Sequence, residues 1–281
     1  MALVMVAACI CATSAEAKVT VVAKAIGGAA AVDGGHLIAW GDREGTLTVL
    51  DDRTGAKTAL SLGRPCDHIY AIDGSAGLFL IDCGIAGPTG PETRQLVVDA
   101  ATGEVTDLVA DSYKRIGRHW LQGTVEIGGR AFILYTEMHT GETRTVAVPR
   151  SGQIQTPYDL DSQDFEPVAL AAPEFVVGSS MALEQVRAGK RWAIRLVGSS
   201  IDRRVGTCAR RCQLVSVKGG LALWREGARR LHGYAYRTRK HLEWRIPDAA
   251  TVRGSSERRV YYLAPRVSSP LFSDLRAFAW R

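Results

Sequence analysis

The sequence predicts an all-β fold assembled from one repeated four-stranded unit. Three observations predict it. Aromatic and β-branched residues fall in short alternating runs bounded by turn residues. Glycine-rich turns recur at a regular interval along the 281-residue chain. Helical periodicity is absent, and the best candidate, Ser180–Arg187, is too short to stand as a helix alone.

The copies can be taken in order. A first hairpin appears at residues 31–40 (AVDGGHLIAW) and again at 71–82 (AIDGSAGLFLID), 125–135 (VEIGGRAFILY) and 215–224 (VSVKGGLALW). Degenerate copies lie at 252–263 (VRGSSERRVYYL) and at 168–177, with Ala172-Pro173 at the turn. A second hairpin follows the first at 47–60, 96–108 and 133–148, turning at Gly55, Gly103 and Gly141. Its copy at 231–246 turns through Arg237-Thr238-Arg239 without a glycine. Two consecutive hairpins make one four-stranded meander. From Gly34 to Gly254 the first turn recurs about every 44 residues, within the roughly 40–50 of propeller blades.

Six such units without intervening helices describe a single β-propeller over 18–281, with five or seven blades as the alternatives and a twisted β-sandwich as the competing architecture. The last copy, ending at Leu275–Trp280, is one strand short. Val19–Lys24 is expected to supply the outer strand and close the ring, because an open blade leaves strand edges unpaired. The repeats resemble those of secreted bacterial β-propellers with WD-like, YVTN-like or quinoprotein-like units. That resemblance implies an architecture and assigns no residue a role.

Residues 1–17 (MALVMVAACICATSAEA) form an apolar run ending in the small-x-small site Ala15-Glu16-Ala17, which reads as a cleaved signal peptide. A basic start is missing, and Val6–Cys9 offers a lipid-anchor site at Cys9 as the second reading. The expected location is therefore outside the cell or in its envelope, with no transmembrane span after residue 17. The absence of Asn and the wealth of Ala, Gly and Arg fit a GC-rich bacterial source.

Export leaves four cysteines, which permit three pairings. Cys66 and Cys83 flank the Asp73–Gly77 turn nearly opposite one another, so a cross-strand disulfide is expected, worth about 3 kcal/mol by loop entropy. Cys208 and Cys212 would close a short loop worth about 2 kcal/mol. Neither pair has the spacing of a zinc site, and no cofactor is expected.

No catalytic residue stands out. The six histidines show no ligand spacing, no nucleophile elbow is present, and Asp-x-x-Thr-Gly at Asp51 or Asp52 and at Asp99 is turn chemistry. The inner strands offer apolar or small residues (Tyr70-Ala71-Ile72, Thr124-Val125, Leu214-Val215-Ser216). A non-enzymatic binding scaffold is thus expected. The alternative is a hydrolase, lyase or quinoprotein-like oxidoreductase with its site at the central channel.

Long links at 84–93, 151–166, 199–211 and 265–274 should share one face, and function concentrates on long loops over a rigid frame. Asp159, Asp161 and Asp164, with Glu166, form an acidic loop there that could hold calcium. Charge is uneven. Residues 187–281 carry 22 Lys+Arg against 6 Asp+Glu, whereas 18–186 carry 13 against 22. Arg forks suit phosphate and carboxylate, which makes Arg203, Arg204, Arg210 and Arg211 anion-binding candidates. The expected partner of this monomer is a protein or an anionic envelope polymer rather than a specific nucleic acid. The competing reading is that the two halves attract each other.

Overall fold

A computed structural model describes residues 18–281 apart from 28, 43–44, 63–65, 88–89, 109–112, 117–119, 128–129, 139–142, 148–174, 178–180 and 199–200. The chain opens with β1 (Val19–Ile26). Sheet I follows as β2 (Ala30–Val32), β3 (Leu37–Gly41), β4 (Leu47–Asp51) and β5 (Lys57–Leu60). Sheet II is β6 (His68–Ser75), β7 (Leu78–Gly87), β8 (Gly90–Asp99) and β9 (Val105–Leu108). Sheet III is β10 (Tyr113–Ile116), β11 (Trp120–Ile127), β12 (Arg130–Glu137) and β13 (Thr143–Ala147). Sheet IV is β14 (Phe175–Val177), β15 (Met181–Ala188), β16 (Arg191–Gly198) and β17 (Ile201–Cys208). Sheet V is β18 (Gln213–Lys218), β19 (Leu221–Glu226), β20 (Arg230–Ala235) and β21 (Lys240–Arg245). The last strands are β22 (Thr251–Ser255), β23 (Arg259–Arg266) and β24 (Ser269–Ala279). Sheet VI is completed from the other end of the chain, in the order β1-β24-β23-β22. Val19, Thr20 and Val21 lie opposite Phe278, Ala277 and Arg276.

All pairings are antiparallel neighbours in sequence apart from β1 with β24, so the local turns specify the register. In the Thr-Gly hairpins the Asp51 carboxylate accepts the amides of Arg53 (2.7 Å) and Thr54 (3.3 Å), and Asp99 does the same for Ala101 (2.7 Å) and Thr102 (3.3 Å). Gly55 and Gly103 then take φ of 78° and 74°, a region hostile to Cβ. Arg239 occupies the same region, at 58°, in the hairpin that lost its glycine.

Apolar clusters lie between neighbouring sheets. Ala39, Leu47 and Val49 of sheet I meet Phe79, Ile81 and Leu96 of sheet II. Leu80 and Val97, on the other side of sheet II, meet Ile116 and Leu121 of sheet III. Leu183, Ile194 and Leu196 of sheet IV meet Leu214, Ala222 and Trp224 of sheet V. Leu223 and Leu231 of sheet V reach Val260 and Tyr262 of sheet VI. Tyr261, Leu263 and Leu275 of sheet VI return to Ile38 and Trp40 of sheet I. A sheet covered on both sides has no polar face, which is why β7 and β23 read as near-continuous apolar runs. Each buried large side chain is worth about 1.5–3 kcal/mol. Close approach needs a gap at Gly206, where a Cβ would lie 2.5 Å from the Trp224 ring.

Two sequence expectations are corrected. Residues 125–135 are the second and third strands of sheet III, not its first hairpin. The true first strand, Tyr113–Ile116, sits in the polar stretch DSYKRIGRH and carries no alternation signal. In sheet IV, Phe175–Val177 is the first strand rather than the end of a hairpin, and 168–174 lie outside the described residues. The weak helix candidate at 180–187 is no helix, as expected: from Met181 it is strand β15, with Ala182 and Leu183 both buried. Among the described residues no helix is present, hence none long and apolar enough to cross a membrane.

Candidate functional site

The meanders give the molecule two ends. Turns between first and second and between third and fourth strands form the hairpin end. Turns between second and third strands, together with the links between sheets, form the linker end. The first strands pack in the order β2, β6, β10 on one side and β14, β18, β22 on the other, with β22 returning to β2.

At the hairpin end of these first strands, polar groups converge. Lys218 Nζ lies 2.9 Å from Asp73 Oδ1 and also donates to the Gly74 carbonyl. The other Asp73 oxygen accepts the Ile116 amide at 3.0 Å, so one carboxylate joins β6, β10 and β18. Asp33 accepts the amides of Gly35 (2.8 Å), Leu37 (3.0 Å) and Gly77 (3.1 Å). Burial raises the Asp33 pKa, and these hydrogen bonds pull against the rise. Ser255 Oγ donates to the Lys218 carbonyl at 2.8 Å. Arg253 holds the matching position of β22, where burial lowers its pKa.

Sequence reasoning missed this cluster, although a signal was there. In four repeats the residue before the first glycine of the hairpin is charged: Asp33-Gly34, Asp73-Gly74, Lys218-Gly219 and Arg253-Gly254. The two acids lie in the acidic part of the chain and the two bases in the basic part.

Further pairs join those same parts. Asp52, with its side chain 1% exposed, has Oδ1 3.0 Å from Arg259 Nη1, and Ser256 Oγ donates to Oδ2 at 2.7 Å. Arg53 pairs with Glu257 at 2.8 Å, and the Glu257 amide donates to the Gly35 carbonyl at 2.8 Å. Asp52–Arg259, like Asp73–Lys218, sets an acid of the first part against a base of the second, whereas Arg53–Glu257 has the opposite sense.

The linker end differs from expectation. Residues 84–93 are mostly strand: Gly84 pairs with Thr93 and Ala86 with Pro91, and β9 covers β8 only from Gln95 onward. Pro91 is tolerated there because that edge has no ladder to supply. Residues 199–211 are mainly β17, and 265–274 mainly β23 and β24, so neither is a long loop. The stretch 151–166, with the calcium candidates Asp159, Asp161 and Asp164, lies outside the described residues, as do residues 1–17 and Cys9.

Cys66 is bonded to Cys83, with Cα atoms 5.6 Å apart, and Cys208 to Cys212, at 6.3 Å. The second bond spans the link from sheet IV to sheet V. Gln185 clamps that link, donating to the Cys212 carbonyl (2.8 Å) and accepting its amide (2.9 Å), while Glu226 accepts the Ala209 amide (3.0 Å). Cys208, Cys212 and Glu226 thus come together, but with the sulfurs bonded to each other the arrangement is a staple.

Of the anion candidates, Arg203 and Arg204 lie exposed on β17, and Arg210 and Arg211 lie exposed on the stapled link. A cavity of about 130 Å³ at the linker end is lined by Gln213, Leu214, Val215, Arg225, Thr251 and Val252. It is small for an organic ligand, and the two terminal nitrogens of Arg225 donate to the carbonyls of Ala250 (2.6 Å) and Asp248 (2.6 Å). The described histidines are dispersed: His36 near Asp51, His68 against Tyr70, His232 between Trp224 and Glu226, and His241 against Tyr234.

No protein-family model matches the chain, and no curated protein is similar to it in sequence. Solved structures are similar in fold. The β-propeller domain of Cps50 (Swd1) from Myceliophteria thermophila is matched with a TM-score of 0.52 at 10% identity, over 94% of this chain and 100% of that one. The CNH domain of AfRom2 is matched with a TM-score of 0.46 at 10% identity, over the same shares. Repeated four-stranded antiparallel sheets and the first of these likenesses define the class as a β-propeller.

Proposed function

We propose that the chain is an exported, non-enzymatic binding scaffold: a six-bladed propeller, closed by β1, that holds a protein or an anionic envelope polymer at its linker end. The observation that carries this reading is the state of the axis. Catalysis needs acid–base groups free to meet a substrate. Here Asp73 and Lys218 are spent on each other and on backbone groups, and Asp33 is spent on three amides. Exposed arginines, by contrast, lie on the outer strand and link of sheet IV. The apolar clusters running from sheet IV through sheets V, VI, I and II to sheet III support a ring of six blades. Two disulfides and the apolar segment 1–17 support export into an oxidising compartment.

The convergence of Asp33, Asp73 and Lys218 favours the second reading, an enzyme acting at the axis. Asp73→Asn separates the two. As a scaffold, residues 18–281 co-sediment with envelope material from the source cell, and the variant does so equally well while melting at a lower temperature. Chemical conversion of that material by the wild type, lost in Asp73→Asn, would establish the enzyme instead.

A further inference from the structure

Sheet IV and the link that follows it carry a marked surplus of positive charge. Residues 175–212 hold eight Lys+Arg and two Asp+Glu. Both acids are taken by one arginine: Arg195 Nη1 lies 3.1 Å from Glu184 Oε1, and Arg195 Nη2 pairs with Asp202. Arg187, Lys190, Arg191, Arg203, Arg204 and Arg210 remain exposed, and none has an acidic partner among the described residues. Glu226, the acid that reaches the Ala209–Cys212 link, is occupied by the Ala209 amide and by His232.

The topology sets these cations in one band. Arg203 and Arg204 sit on the outermost strand, where a bulge opposite Ile194 and Arg195 leaves Val205 as the extra residue and twists the edge. At the end of that strand Cys208 pairs with Trp192. This brings Arg210 beside the Arg187–Arg191 turn, and the Cys208–Cys212 bond and the Gln185 clamp fix the link that carries it. At about 3.3 Å per strand residue the band is about 20 Å long. It runs from mid-edge to the linker end.

We infer that this band binds a linear anionic glycan by its regularly spaced carboxylate, sulfate or phosphate groups; the inference deepens the scaffold reading and rests on it. Arginine forks on a fixed backbone match such groups two oxygens at a time. A nucleic acid is the poorer fit because single strands are held by stacking as well as charge. The tryptophan of this sheet, Trp192, is turned into the apolar cluster shared with sheet V.

The test measures affinity of residues 18–281 for heparin as the probe glycan, against neutral dextran and single-stranded DNA, over a salt series. The band variant carries Arg191→Ala, Arg203→Ala, Arg204→Ala and Arg210→Ala. A charge-matched control carries Arg237→Ala, Arg239→Ala, Lys240→Ala and Arg245→Ala on the outer hairpin of sheet V, all exposed and without an acidic partner among the described residues. The band variant should bind heparin about tenfold more weakly, with a shallower salt dependence, while the control stays within about twofold. Equal loss in both variants, no binding by the wild type, or tighter binding of DNA than of heparin would each overturn the inference. None of those outcomes touches co-sedimentation of the chain with envelope material, so the scaffold reading stands or falls separately.

Discussion

Asp73 and Lys218 show how much a single charged residue before a hairpin glycine does in this chain. Each is a solvated turn residue by local rules; together they pin strands from opposite parts of the sequence. Glu184 carries a separate consequence. Its side chain is 1% exposed, and burial pushes its pKa from 4.5 to about 7, against the pull of Arg195 and with a further push from Asp202. The folded state therefore holds a proton that the unfolded chain releases. This contribution to stability is fully present below about pH 4.5 and is lost as pH rises through about 7. Denaturant unfolding of the wild type should give a falling stability across that window, and Glu184→Gln should flatten the fall. An unchanged profile in the variant would show that Glu184 is not the titrating group. None of this was legible in the sequence, since Glu184 alternates along a strand like any surface acid, and only the packing of β15 buries it.

Among the elements, legibility followed turn chemistry. Asp-x-x-Thr-Gly at Asp51 and Asp99 fixed two outer hairpins, and the structure shows the same amide–carboxylate contacts in both. Where turn chemistry is ambiguous, phase is lost: Gly128-Gly129 reads as a first turn in the sequence because Tyr113–Ile116 lacks alternation. The Gly- and Pro-rich 84–93 read as a loop because strand propensity does not register a projecting edge. The N-terminal strand is the clearest success, anticipated from the missing fourth strand of the last copy and present as β1 on β24. Val21 lies opposite Arg276 in that ladder. Oxidation of the double variant Val21→Cys, Arg276→Cys should yield an intramolecular crosslink in nearly all molecules. Crosslinked dimers alone, or free thiols, would mean that β1 does not close this sheet.

For the molecule as a whole, composition announced a charge contrast without saying which way it is used. The structure divides it. Lys218–Asp73 and Arg259–Asp52 turn it inward, as attraction between the two parts of the chain, while the arginines of sheet IV stay exposed. Paired charges at the hairpin end and exposed arginines on sheet IV are what the proposed scaffold role rests on. The linker face and the arginines Arg203, Arg204, Arg210 and Arg211 were legible as candidates in the sequence, but which charges find partners after folding was not. The most direct test is hydrogen exchange on residues 18–281 with and without bound envelope material. Protection at residues 189–191, 209–212 and 246–250, with turns 33–36, 76–77 and 219–220 unchanged, is the predicted result. Protection concentrated around Asp73 and Lys218 at the hairpin end would contradict the account and move the site to the axis.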